Sequence, residues 1–224
     1  MTKNYFCEIE EEIEEMNLGV EVISCDALSI PNFSFEKYIE IKNNVPTIFA
    51  NNCWAGLLYH RLRLPFNSPF INMFLNDDDY LRFLEEPQKY INSELVFKET
   101  AYDTTLNREY PKCQCGDIYL NFNHYNDFEH ANEAWKKRCK RINWDNIFVM
   151  MYTNDKTAAE RFAKLPYEKK VCFVPFDMDE KDIVPIMLED DAYFFEIVNG
   201  IVTGKYFYFD ILDMLMGNYV KIIT

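Results

Sequence analysis

The chain has 224 residues, with 37 Asp and Glu against 23 Lys and Arg for a formal net charge of −14, and it is 49 % hydrophobic and 17 % aromatic. That much apolar material supplies the interior of one main domain and carries no signature of disorder. The charge repels phosphate-rich polymers and anionic membrane surfaces, which excludes nucleic acid as an expected partner.

From the N-terminus, Phe6, Ile9, Ile13 and Met16 at helical spacing predict a helix over Tyr5 to Met16, and Val20 to Ser24 predicts a short strand. The glutamates at positions 8, 10, 11, 12, 14 and 15 argue against a secretory leader. Pro31 to Asn44 reads as a connection with a short helix inside it, so the chain divides into an extension (residues 1–46) packed on a main α/β domain (residues 47–224). Thr47 to Ala50 is a predicted strand, and a helix follows Asn51-Asn52-Cys53-Trp54-Ala55-Gly56 to about Leu62. Leu64 to Leu75 is apolar but broken by Pro65 and Pro69 and shorter than the ~20 residues of a membrane helix, so no membrane span is expected. Asn76 or Asp77 caps a helix with Tyr80, Leu81 and Leu84 inward, and Pro87 suits the first turn of the next.

Ile118 to Phe122 is a predicted strand. Asn126 with Glu129 resembles a capping box opening a helix whose buried face is Phe128, Ala131, Trp135, Cys139 and Ile142. Ile147 to Tyr152 and Val171 to Phe176 are uninterrupted apolar runs, as in strands buried on both faces, with a helix after Asn154-Asp155 to Leu165 between them. The tail adds a strand over Tyr193 to Val198 and a closing helix over Tyr208 to Met216. Strands buried on both faces and alternating with helices predict a three-layer α/β/α fold with a largely parallel or mixed sheet. Seven cysteines without paired spacing suit a reducing compartment, and a cytoplasmic location is expected.

Ligands of open α/β sheets bind beyond the carboxyl ends of the strands. The residues there are polar: Asn51, Asn52 and Cys53; Asn123, His124, Tyr125 and Asp127; Asn154 and Asp155; Asp177 and Asp179. Parallel neighbouring strands would put these loops on one rim, though Asn and Asp are also ordinary turn and cap residues. Cys53 and His124 are candidates for a thiol–imidazole pair, and a helix N-terminus at Cys53 would lower its pKa; a structural cysteine beside Trp54 accounts for the same residues. Lys136, Lys137, Arg138, Lys140 and Arg141 could hold a diphosphate or form a solvated face in which Glu133 pairs with Lys137. Cys113-x-Cys115 is too short for a usual zinc site, His60 and His130 fall on helix surfaces, and neither common phosphate-loop fingerprint occurs, so no metal or cofactor is assigned.

Asn51-Asn52-Cys53-Trp54-Ala55-Gly56, Tyr59, Leu64-Pro65-Phe66-Asn67-Ser68-Pro69-Phe70, Gly116-Asp117, Phe122, His124-Tyr125, Ala131, Trp135, Arg138, Arg141-Ile142-Asn143 and Asn146-Ile147-Phe148-Val149 together resemble a bacterial family often labelled exopolysaccharide or capsular polysaccharide biosynthesis proteins. Fainter matches at Leu165-Pro166-Tyr167, Phe209-Asp210 and Asn218 extend the resemblance over Thr47 to Asn218. Ala55 departs from the family, whose members usually have a second glycine there, and the Cys113/Cys115 pair does not look like a family feature. The resemblance implies a three-layer α/β fold and a cytoplasmic role in making surface polysaccharide.

The resulting expectation is a transferase with a phosphate-bearing sugar donor near Arg138 and Arg141 and a sugar or polysaccharide precursor as acceptor near Asn51, Asn52, His124 and Asp155, with Trp54, Asp117, Tyr125 and Asn154 as further binding residues, Cys53 lining the pocket and His124 or Asp155 as general base. Two alternatives stand beside it: acyl transfer or hydrolysis through Cys53 and His124, and a binding or scaffold protein without chemistry. Asp177-Met178-Asp179 has the form of a metal clamp, a triplet that arises readily in so acidic a chain.

Overall fold

The computed structural model describes residues 25–28, 30, 32–186 and 210–218. The helix expected over Tyr5 to Met16 and the strands expected over Val20 to Ser24 and Tyr193 to Val198 lie outside them. Helices α1 (Cys25–Leu28) and α2 (Phe35–Asn43) precede strand β1 (Thr47–Ala50), which leads into α3 (Trp54–Leu62). Then come α4 (Asp77–Glu85), α5 (Pro87–Ile91), strands β2 (Leu95–Asp103), β3 (Arg108–Cys115) and β4 (Ile118–Asn121), and α6 (Phe128–Cys139). Strand β5 (Ile147–Tyr152), α7 (Lys156–Ala163), β6 (Lys170–Val174), β7 (Ile183–Pro185) and α8 (Ile211–Leu215) complete the described chain.

Two sheets form. β1, β5, β6 and β7 make a parallel sheet in that order, and β2, β3 and β4 an antiparallel one. Successive residues of the parallel strands point to opposite faces, and each face has its own core. Ile48, Ala50, Phe148 and Met150 pack with Trp54, Leu58 and Tyr59 of α3, Tyr38 and Ile41 of α2, and Leu212 and Leu215 of α8. Phe49, Val149, Met151 and Cys172 pack with Tyr80 and Phe83 of α4, Phe162 of α7, and Trp135 of α6. The fold is mixed α/β, with the parallel sheet buried between two layers. Tyrosine hydroxyls tie helices to strands: Tyr59 donates to Pro46 O and accepts from Ile48 N, both at 2.8 Å, and Tyr80 donates to Met150 O at 2.9 Å.

The expectation of one sheet is corrected at Ile118 to Phe122. This segment begins β4, the last strand of the antiparallel sheet, and not a member of the parallel one. A two-residue turn at Gly116-Asp117, with Gly116 at φ +60°, reverses the chain from β3. Phe74 joins the two sheets: it exchanges backbone hydrogen bonds with Asn121 at 3.0 Å, while Leu75 N donates to Asn51 O at 3.0 Å. Cys113 and Cys115, two apart on β3, face the same buried core, which explains their spacing. The expected capping box is also displaced by one residue, because Asp127, not Asn126, caps α6 by accepting from His130 N at 2.9 Å. Among the described residues no helix is long and apolar enough to cross a membrane.

Candidate functional site

At the carboxyl ends of β1 and β5 lies an open cleft of about 620 Å³ lined by Asn51, Asn52 and Cys53, by Asp77, by Asn123 and Asp103, and by Thr153, Asn154 and Asp155. Asn51 anchors it. Its Nδ2 donates to Tyr152 O (2.9 Å) and Asp77 Oδ1 (3.3 Å), and its Oδ1 accepts from Tyr152 N (3.2 Å) and Asn52 Nδ2 (2.9 Å), so one amide holds the ends of β1 and β5 and the start of α4 together. Asn52 Oδ1 in turn accepts from Trp54 N at 2.9 Å and fixes the first turn of α3. Cys53 is the N-cap of that helix, and its Sγ lies 3.6 Å from His124 Nε2. The thiol therefore comes from the parallel sheet and the imidazole from the loop after the antiparallel one.

Electrostatics departs from expectation at the thiol. Burial, reinforced by the charge of Asp103, pushes Cys53 up to about 11, so the lowering anticipated from the helix N-terminus is overturned. Burial also lowers the pKa of His124, and the Arg108 guanidinium adds to this while Asp103 opposes it. Near neutral pH the pair is a neutral thiol facing a neutral imidazole. Burial raises Asp103 as well, but hydrogen bonds from Leu106 N, from Asn123 and from Thr105 N outweigh it and hold that carboxyl below its usual value. Burial raises Asp77 against the hydrogen bonds from Thr153 and Asn51, with the nearby charge of Asp155 adding to the rise. The buried Oδ1 of Asn123 has no hydrogen-bond partner among the described residues.

The rim brings together Asn51, Asn52, Cys53, His124, Asn154 and Asp155. It does not gather the others. Arg138 is 2 % exposed, with its guanidinium donating to Ile71 O (3.2 Å) and to the Tyr125 hydroxyl. This removes Arg138 as a phosphate ligand and Tyr125, 7 % exposed, as a ligand of the rim. Trp54 is wholly buried against Phe148, which corrects its assignment to binding. Asp117 stands at the β3–β4 turn, away from the cleft, where it meets the exposed Lys89 and Arg82 and the hydroxyl of buried Tyr90. Asp155 spends Oδ1 on Thr157 N (2.7 Å) and Ala158 N (3.4 Å) as the cap of α7. Arg141, just beyond the C-terminal end of α6, is absent from the cleft lining. Asp77 and Asp103 were not among the expected site residues, and only their position in the fold brings them to the cleft.

Residues 25–211 match the family described as a domain of unknown function (DUF1919). The chain belongs to the DUF1919 family. The DUF1919 match begins at residue 25, ahead of the stretch starting at Thr47 over which the motif resemblance extends, and takes in α1 and α2. A protein of Haemophilus influenzae titled "Uncharacterized protein" is 34 % identical over 137 residues, which cover 60 % of this chain and 64 % of that relative's length.

Proposed function

We propose that the cleft is the active site of a group-transfer enzyme of surface-polysaccharide assembly, in the cytoplasm, that passes an acyl group through Cys53 to a hydroxyl of a saccharide precursor. The observation that carries this reading is the 3.6 Å approach of Cys53 Sγ to His124 Nε2 beside a cleft of amides and carboxylates. A neutral imidazole is a competent base. It takes the thiol proton as sulfur attacks the acyl carbonyl carbon, and returns that proton to the departing group as the thioester forms. The sugar hydroxyl then gives its proton to His124 while its oxygen attacks the thioester; the C–S bond breaks and the imidazolium reprotonates Cys53. Water in place of the hydroxyl turns transfer into hydrolysis.

Asn and Asp side chains offer both donors and acceptors to hydroxyl groups. Among the described residues no Lys or Arg lines the cleft to meet a phosphate, so a phosphorylated donor at this rim is the weaker proposal. The polysaccharide setting rests on the motif resemblance.

A second reading is direct transfer, in which His124 acts on the sugar hydroxyl and Cys53 only lines the pocket; the Cys53 thiol, pushed up to about 11 by burial, favours it. The deciding experiment incubates the protein with radiolabelled acetyl-coenzyme A and saccharide acceptors and traces the label after acid quench. Acyl transfer predicts label on Cys53, released by neutral hydroxylamine and lost in Cys53→Ala and His124→Gln. Turnover that survives in Cys53→Ala but not in His124→Gln replaces it with direct transfer. Saccharide binding without turnover of any donor leaves a binding protein.

A further inference from the structure

We infer that the groove between α5 and α6 is a second ligand site, for a small sugar bearing one phosphate or carboxylate group. The groove holds about 590 Å³ and is separate from the cleft: Trp144 and Ile142 lie before the first residue of β5, whereas Tyr152 and Thr153 of the cleft lie at its last. A strand of this length sets the two sites roughly 17 Å apart or more.

Three features converge in the groove. Lys136 on α6 and Lys140, the residue that caps its C-terminal end one turn on, both line it, and neither has a carboxylate partner among the described residues. Two like charges at this spacing destabilise a helix slightly, and an anion between them removes that repulsion. The protein as a whole carries −14, so a long polyanion is repelled while a single charged group finds a local cationic minimum. Trp144, 40 % exposed, lines the same groove as the lysines and supplies an accessible aromatic ring there. Gln88, Asn92 and Ser93 from the α5 side add amide and hydroxyl groups of the kind that meet sugar hydroxyls. An aromatic platform, neutral polar groups and a cation pair in one concavity match a sugar ring carrying an acidic substituent, as pockets generally join an apolar wall to a few convergent polar groups.

A ligand in the groove would bind there whatever chemistry the cleft carries out. It also gives the basic run of α6 a role that buried Arg138 cannot fill.

Of the three tryptophans, Trp54 and Trp135 are buried and Trp144 is exposed, so quenching of fluorescence by acrylamide reports on Trp144. We expect millimolar hexose phosphate or hexuronate to protect the emission from quenching, with the comparison of the two showing which acid group is preferred. The protection should vanish in Lys136→Glu/Lys140→Glu and weaken as salt rises from about 0.05 to 0.5 M. Trp144→Phe, which keeps the groove aromatic, should abolish the quenchable signal and so confirm its source. Equal protection by an uncharged hexose, by inorganic phosphate alone or by a single-stranded oligonucleotide overturns the inference, as does protection by none of these probes.

Discussion

At Cys53 a helix N-terminus and a desolvated pocket act in opposite directions, and the pocket wins: burial and Asp103 together push the thiol up to about 11. Removing the Asp103 charge favours the thiolate. Asp103→Asn should therefore speed iodoacetamide alkylation of Cys53 roughly two- to fivefold at fixed pH, as expected for a drop of a fraction of a pKa unit. In the wild type the rate should climb with pH toward about 11. A plateau near neutrality would show that the thiol is not held protonated, and an unchanged rate in Asp103→Asn would remove that carboxylate from the site. Residue by residue, the sequence exposed part of this arrangement. Cys53 and His124 stood out because each follows an apolar run. Asp77 and Asp103 did not, since one lies at a helix start and the other at a hairpin tip, where Asp is an ordinary choice. Arg138 reads in sequence as one charge among five, although Ala131, Trp135 and Arg138 at i, i+4 and i+7 place it on the buried stripe of α6.

At the level of elements, β5 and β6 were legible because strands covered on both faces display unbroken apolar runs. The β2–β3 hairpin was not, because β2 is exposed along most of its length and shows no alternation to read. Its tip nonetheless reaches the cleft, where Asn123 Nδ2 donates to Asp103 Oδ2 at 3.2 Å. Loops that look alike in sequence also divide by element: Asn154 is exposed on the rim, whereas Asp155 closes the first turn of α7. Asp155→Ala should cost about 1 kcal/mol through loss of the cap, which lowers the unfolding midpoint by about 2 to 4 °C for a chain of this size. The acyl-transfer reading expects turnover to persist in this variant. Loss of turnover at unchanged stability would restore Asp155 as a base.

Over the whole molecule, charge is carried in two ways. Exposed ion pairs link α4, α5, α7 and the β3–β4 turn: Arg161 meets Glu85 and Asp78 at 2.7 Å, Arg82 meets Asp78 at 2.9 Å, and Lys89 meets Asp117 at 2.9 Å. Such pairs are each worth about 0 to 1 kcal/mol, whereas the net −14 opposes compaction everywhere at once. Raising sodium chloride from about 0.05 to 0.5 M should therefore raise the thermal midpoint, since screening relieves more repulsion than it loses in bridges. A falling midpoint in differential scanning fluorimetry would mean that the bridges dominate.

The pairing of β1 with β5 places Thr47 beside Ile147, and the rim is closed by residues as far along as Asp155. A polypeptide still emerging from the ribosome can make the thiol long before it can make the strand that lies beside β1. Cys53 thus waits for partners made much later in synthesis, and any product cut short before β5 carries the cysteine but not the place that would use it. Under the acyl-transfer reading, Cys53 can act only once the chain has been made as far as Asp155.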